Sequence, residues 1–267
     1  MDEWNNDRKI KKLKTFLREM GSVVIAFSGG VDSSFLLNIA KNEPGVNVIA
    51  VTANFPAFLE CELRDSKKIA AILKCRHIII NFKQLEIKEL KNNPKNRCYY
   101  CKKNLFLEMI KIKDKYKFNS VIDGTNYDDL NTFRPGITAL RELGIESPLA
   151  DAGLTGEEIR RYSRQLNLPT WNKPSFSCIL TRLPYNENIS ISSINKIKKA
   201  ETFLRQMGFN QVRVRYHHPV AKIELDIEDI PRILDDDVRE KVIKNLKSAG
   251  FSSICIDLEG YRPVSIL

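Results

Sequence analysis

Val23-Val24-Ile25-Ala26-Phe27-Ser28-Gly29-Gly30-Val31-Asp32-Ser33-Ser34 is the stretch that decides the fold. Five apolar residues, three of them β-branched, read as a buried strand. Ser28-Gly29-Gly30 breaks it, and helical spacing resumes from Ser33 to Lys41. A strand that turns through two glycines into a helix reads as an anion site, the plainer alternative being a glycine turn at a strand end. The glycines admit close backbone approach and positive φ, and the helix N-terminus behind them points amides and dipole at phosphate oxygens. Ser28, Ser33 and Ser34 add hydroxyl donors, and Asp32 is placed to hold a Mg²⁺ that bridges phosphates.

The loop is not of Walker A type, because no Gly-Lys-Ser/Thr follows. It is not Gly-x-Gly-x-x-Gly either, because its glycines are adjacent. It resembles the PP-loop of the ATP pyrophosphatase superfamily. That resemblance implies cleavage of ATP between the α- and β-phosphates and transfer of AMP to a nucleophilic oxygen.

Working outward, residues 7–20 carry Ile10, Leu13, Phe16 and Leu17 at helical spacing. Strands are expected at Val46–Val51, His77–Asn81 and Val121–Ile122, with helices at Glu60–Leu73 and Lys102–Lys115 between them. Strands alternating with helices make an α/β fold, a parallel sheet with helices on both faces. Ligands of such sheets bind beyond the carboxyl ends of the strands, where Asp123-Gly124-Thr125-Asn126 joins the first loop. A loop-rich stretch is expected over Asn126–Pro148, a helix over Gly153–Leu166, and an irregular segment over Asn172–Pro184. The pattern then changes: a helix (Ile194–Met207), two strands (Gln211–His217 and Ala221–Asp226), further helices near Ile230 and at Val238–Ala249, and a last strand at Ser252–Leu258. The expected domains are therefore a nucleotide domain over 1–187 and a small α+β domain over 188–267.

Lys and Arg number 43 against 33 Asp and Glu, a formal charge of +10. That balance fits anionic partners, whether nucleotide, pyrophosphate or nucleic acid, and equally fits a lysine-rich solvated surface. No apolar run reaches the roughly 20 residues that span a bilayer. The charged N-terminus lacks the apolar stretch of a signal peptide. A cytoplasmic protein is expected, whose six cysteines are reduced.

Arg97-Cys98-Tyr99-Tyr100-Cys101-Lys102-Lys103 holds a Cys-x-x-Cys beside cations that favour thiolates. Cys178 is a third thiol in an irregular loop. Three readings stay open from the residues alone. Three thiolates hold a 4Fe-4S cluster with one iron free to bind a sulfide; Cys178 gives up its own sulfur and becomes dehydroalanine; or the trio is inert, or binds zinc with His77, His217 or His218. Cys61, Cys75 and Cys255 fit core positions.

The landmarks extend well beyond the loop: Arg97-Cys98-Tyr99-Tyr100-Cys101-Lys102, Asp123-Gly124-Thr125-Asn126, Arg134-Pro135-Gly136, Ser147-Pro148-Leu149, Trp171-Asn172-Lys173-Pro174, Ser177-Cys178, Arg182-Leu183-Pro184-Tyr185 and Val212-Arg213-Val214-Arg215. Across almost the whole chain they resemble the LarE family of ATP-dependent sulfur transferases of nickel-pincer cofactor synthesis. The resemblance implies adenylation of the carboxylates of pyridinium-3,5-biscarboxylic acid mononucleotide and their conversion to thiocarboxylates. It implies ATP and Mg²⁺ at Ser28, Gly29, Gly30, Asp32, Ser33 and Ser34, with Thr52, Gly124 and, more weakly, Thr125 and Asp128 near the adenosine. Cys98, Cys101 and Cys178 match the cluster-binding branch of the family, in which the cysteine is not consumed, and Cys178 alone matches the sacrificial branch. Arg182, Arg213 and Arg215 suit the substrate's phosphate and carboxylates, and Glu201 suits alignment of a metal or substrate. A solvated strand face is the plainer reading of Arg213 and Arg215. His217 and His218 read as structural. The resemblance also implies a homo-oligomer supplied with sulfide or another sulfur donor. The competing activity is tRNA thiolation, which fits the charge, but no RNA-binding appendage is recognisable. A non-catalytic nucleotide- or cluster-binding regulator is the remaining class.

Overall fold

The computed structural model describes residues 7–131, 134–174 and 177–262. Residues 175 and 176 of the expected irregular segment lie outside them. The chain divides into two compact units, Met1–Ile87 with Asn96–Ser175, and Lys88–Lys95 with Phe176–Leu267. Residue 187, the boundary expected from sequence, therefore falls inside the second unit.

The first unit runs α1 (Arg8–Met20), β1 (Ser22–Ala26), α2 (Val31–Asn42), β2 (Asn47–Asn54), α3 (Glu60–Ile72), β3 (Arg76–Asn81), α4 (Arg97–Tyr116), β4 (Ser120–Ile122), α5 (Pro135–Glu142), α6 (Pro148–Asp151) and α7 (Gly156–Gln165). Its sheet is parallel throughout, in the order β3-β2-β1-β4. Alternation along the strands supplies both faces. Val23, Ile25, Val48 and Ala50 join a core with Leu13, Leu17, Phe35, Leu36 and Tyr162. Val24, Ile49, Val51 and Val121 join another with Phe106, Met109 and Leu140. Burying each such Val, Ile or Leu stabilises the unit by about 1.5–3 kcal/mol. The chain leaves β1 toward β2 and β3, then returns to place β4 on the other side of β1. The order reverses between β1 and β4, so the two expected loops emerge side by side at one crevice.

Two expectations are corrected here. The stretch over Asn126–Pro148 is not all loop: Pro135, with its φ preset, starts α5. Helix α4 begins at Arg97 rather than Lys102, so Cys98 and Cys101 sit in its first turns. No helix among the described residues is long and apolar enough to cross a membrane.

The second unit contains a turn at Ile179–Arg182, α8 (Ile191–Gln206), β5 (Val212–His217), β6 (Val220–Leu225), α9 (Ile230–Leu234), α10 (Asp236–Ser248) and β7 (Ser253–Ile256). β5 and β6 pair antiparallel, with Arg213 opposite Glu224 and Arg215 opposite Lys222; β6 and β7 pair parallel. Asn93 stitches the outlying segment to this unit, its amide donating to the carbonyls of Leu183 (3.0 Å) and Pro184 (2.9 Å).

Candidate active site

The amides of Val31, Asp32 and Ser33 open α2 and have no acceptor within the helix, since Ser34 N–H is the first to reach back, to the Gly30 carbonyl. The Ser28 and Ser33 hydroxyls lie 3.1 Å apart, and Gly30 N–H donates to the Ser28 hydroxyl at 3.2 Å. Gly29 takes φ +70°, and a Cβ there would stand 2.8 Å from the Ser66 Cα of α3. Gly124, beyond β4, lies against the helix opening: its Cβ would meet the Ser33 nitrogen at 3.1 Å. Ser34 is different. Its side chain is buried and its hydroxyl has no hydrogen-bond partner among the described residues.

Asp32 is sunk at the helix opening and held by the Asn126 amide at 3.2 Å. Burial pushes its carboxyl above the usual range, and neighbouring Asp129 adds to the effect. A half-buried carboxylate with an acidic neighbour fits the expected Mg²⁺ ligand.

Asp123 organises the second loop. It accepts from the Thr125 hydroxyl (2.6 Å) and amide (3.1 Å) and from the Ser147 hydroxyl (2.7 Å), and Lys102 Nζ lies 3.5 Å away. Thr125 is thereby committed to shaping the turn. Asp128 accepts from the Gly156 amide at the start of α7. Thr52 lies within β2, not after it; its buried hydroxyl donates to the Phe27 carbonyl (2.5 Å) and meets His77 Nε2 at 2.8 Å. It braces the end of β1 from below.

Lys102 crosses closely over Gly136 on its way to Asp123: a Cβ there would sit 2.7 Å from Lys102 Cδ and 3.4 Å from the Cys98 carbonyl. The Arg134-Pro135-Gly136 landmark thus lets the Cys-x-x-Cys helix lean on the β4 loop. Gly136→Ala is expected to cost about 1–3 kcal/mol in urea unfolding, as overpacking does. Most of that cost should vanish in a Lys102→Ala background; an unchanged penalty would mean the collision lies elsewhere.

The lysines beside the cysteines do not serve the sulfurs as expected. Lys102 faces Asp123, and Lys103 donates to Glu142 (2.8 Å) and the Tyr99 hydroxyl (2.9 Å). Instead, the buried Gln84 amide donates to Cys101 Sγ at 3.3 Å. Cys98 is exposed and Cys101 half-buried. Cys255 is exposed rather than core, and Cys61 and Cys75 are half-buried. Among the described residues no group of three or more His, Cys, Asp or Glu side chains could hold a metal ion. The structure therefore gives the expected 4Fe-4S cluster on Cys98, Cys101 and Cys178 no support.

In the second unit Cys178 is exposed at the start of the Ile179–Arg182 turn. Arg182, only 1% exposed, wraps the backbone that carries it. Its Nη1 donates to the Ser177 hydroxyl (2.6 Å) and carbonyl (3.0 Å), to the Thr181 hydroxyl (2.8 Å) and to the Cys178 carbonyl (3.3 Å). Its Nε donates to Glu201 Oε1 at 2.7 Å. Burial opposes the Arg182 charge, but Glu201 outweighs it and raises the pKa, and the Cys178 thiol lies within the same electrostatic reach. Glu201, fully buried, also takes Arg205 Nη2 at 2.6 Å and the Val214 amide at 3.1 Å. Both its oxygens are occupied by protein donors, so it positions Arg182.

Arg213 and Arg215 are not a solvated face; both are buried. Arg215 pairs with Glu224 and donates to the Thr181 carbonyl at 3.0 Å. Arg213 stacks on Tyr261, 4.4 Å from the ring, and donates to its hydroxyl at 2.8 Å. Burial and the neighbouring charges of Arg182 and Arg215 push its pKa down. Such a cluster favours an anion beside it. His217 is half-buried, its pKa lowered by burial and by Lys222.

Lys173 lies in the Trp171-Asn172-Lys173-Pro174 landmark, where its residue type alone signals no role. Its ammonium donates to the Gly29 carbonyl at 3.1 Å and pairs with Asp65 at 2.6 Å, which puts a cation directly at the phosphate loop. Gln84 and Asn93 carried no signal at all, because a buried amide that serves one sulfur or three carbonyls belongs to no motif.

Three findings place this arrangement among known proteins. The model of the queuosine biosynthesis protein QueC family matches residues 22–95. Uncharacterised proteins of Synechocystis and of Methanocaldococcus jannaschii are 37% and 36% identical over 96% of this chain, covering 96% and 98% of their own lengths. The pyridinium-3,5-bisthiocarboxylic acid mononucleotide synthase of Lactiplantibacillus plantarum is 33% identical over 92% of this chain and 89% of its own.

Proposed function

Since the chain belongs to the family of that synthase, a LarE-like family of PP-loop enzymes, we propose that it adenylates the carboxylates of pyridinium-3,5-biscarboxylic acid mononucleotide with ATP and converts them to thiocarboxylates. The observation that carries the reading is the crevice between β1 and β4, where the amide end of α2 lies so close to the second loop that a Cβ on Gly124 would stand 3.1 Å from the Ser33 nitrogen.

The chemistry follows from what these groups can do. A carboxylate is a poor electrophile because its oxygen is a poor leaving group. Its oxygen attacks the α-phosphorus of ATP, the bond to the bridging oxygen breaks, and pyrophosphate leaves with the electron pair. Loop amides and the Ser28 and Ser33 hydroxyls hold the phosphates where charge develops. Mg²⁺, drawn to Asp32, supplies further neutralisation of phosphate charge when bound. The acyl-adenylate then takes sulfur at its carbonyl carbon, and AMP departs. We assign that attack to Cys178, an exposed thiol whose backbone is clamped by Arg182. Scission of its Cβ–S bond, with loss of the Cα proton, would leave a thiocarboxylate and dehydroalanine; a supplied sulfide would leave Cys178 intact. Arg213 and Arg215, with Arg182, suit the anionic groups of the substrate.

Purified protein with ATP and Mg²⁺ should release pyrophosphate and AMP when given the pyridinium dicarboxylate, and not when given tRNA. Thiolation of tRNA would establish the competing activity, and absence of pyrophosphate with either acceptor would point to a regulator. Cys178→Ala should lower thiocarboxylate formation at least about 10³-fold while pyrophosphate release persists. Mass spectrometry after turnover assigns the sulfur: loss of one sulfur and two hydrogens at Cys178 means sacrifice. An unchanged mass with product formed means delivered sulfide, and iron near four per chain in anaerobically purified protein would restore the cluster.

A further inference from the structure

Lys173 is built toward the phosphate loop from two sides. Arg160 of α7 donates through one nitrogen to the carbonyls of Trp171 (3.1 Å) and Lys173 (3.0 Å), which fixes the backbone there. The side chain then crosses to the Gly29 carbonyl at 3.1 Å and to Asp65 on α3 at 2.6 Å. The ammonium is mostly sheltered while Asp65 is about half exposed, so water screens the carboxylate and the pair holds weakly. A carbonyl and one screened carboxylate are poor competitors for a cation when a polyphosphate arrives on the adjoining amides.

We propose that Lys173 is a ligand of the leaving pyrophosphate, moving from Gly29 and Asp65 to the β- and γ-phosphates as they settle on the loop. The inference rests on the adenylation reading and extends it. When the bond between the α-phosphorus and the bridging oxygen breaks, the departing group gains one negative charge. The ammonium meets that charge without transferring a proton, as other fixed cations do in phosphoryl chemistry. Asp65 holds the ammonium near the loop while the site is empty.

Calorimetric titration of the whole chain tests this with inorganic pyrophosphate plus Mg²⁺, and separately with AMP, which lacks the phosphates concerned. Lys173→Met should weaken pyrophosphate binding about tenfold or more and leave AMP binding unchanged, with Lys173→Arg recovering most of the loss. Asp65→Asn should bind pyrophosphate as well as the unaltered protein or better. Equal weakening of pyrophosphate and AMP in Lys173→Met would overturn the inference in favour of a loop brace. So would Asp65→Asn losing pyrophosphate as Lys173→Met does, or Lys173→Met binding it normally. If the unaltered protein binds neither ligand, the adenylation reading itself fails, and this inference with it.

Discussion

Glu201→Leu is expected to destabilise the second unit by about 3–5 kcal/mol, because it strands a buried Arg182. The carboxylate takes Arg182 at 2.7 Å on one oxygen and Arg205 at 2.6 Å on the other, and it also satisfies the Val214 amide. Leucine fills much the same volume but accepts nothing, so Arg182, Arg205 and the Val214 amide lose this acceptor at once. Glu201→Gln keeps one acceptor oxygen and should lose less. Equilibrium urea unfolding measures both, and a Glu201→Leu loss below about 1 kcal/mol would show that Arg182 finds another partner. Activity should fall as well, since Arg182 holds the Ser177 and Cys178 carbonyls. The same contact has a pH signature. Burial alone would raise the Glu201 pKa; the charges of Arg182 and Arg205 reverse that and hold it below its ordinary value. A depressed carboxylate pKa stabilises the fold at pH values above the unfolded pKa and loses that contribution as pH falls through the folded one. The Glu201→Leu penalty should therefore be full at neutral pH and shrink under acid conditions.

The parallel sheet was legible because β1, β2 and β4 must bury both faces. That requirement writes runs such as Val23-Val24-Ile25 and Val48-Ile49-Ala50-Val51 into the sequence. The start of α4 was not, because Arg97 through Cys101 carries no apolar stripe; its place is set by tertiary contacts such as Lys102 on Asp123. Helix α5 hid for a related reason, since eight residues opened by proline read as easily as a turn.

The phosphate loop could be read from sequence because its function needs residue types that nothing else needs at that spacing. The arginines misled the simpler rule. Alternation assigned Arg213 and Arg215 one face of β5, which is correct, but alternation does not say whether that face meets water. Here Glu224 and Tyr261 cover it. Glu201 was found as a residue and misjudged as a role, because pairing with Arg182 nineteen positions earlier is a fact of three dimensions.

The sharpest test of the phosphate loop is a comparison of three glycines. Gly29 and Gly45 both take positive φ, +70° and +81°, so alanine at either adds about 1–2 kcal/mol of backbone strain. They differ in what surrounds them. At Gly45 a Cβ meets nothing within 4 Å, whereas at Gly29 it would lie 2.8 and 2.9 Å from the Ser66 Cα and nitrogen. Those are backbone atoms of α3 and cannot turn aside as a side chain would. The loop must therefore move, and the amides that face the polyphosphate move with it. A displacement approaching 1 Å costs about 10²-fold in a positioned reaction. Gly29→Ala should therefore lose about two orders of magnitude in pyrophosphate release, while Gly45→Ala loses stability and keeps its rate. Gly30 is intermediate: its φ is −81°, and the nearest obstacle is the Ser28 hydroxyl at 3.2 Å, which can rotate. The order of damage to the rate should be Gly29, then Gly30, then Gly45. Equal rates for Gly29→Ala and Gly45→Ala would mean that strain alone governs these positions, and that the close approach of α3 to the loop has no part in holding the nucleotide.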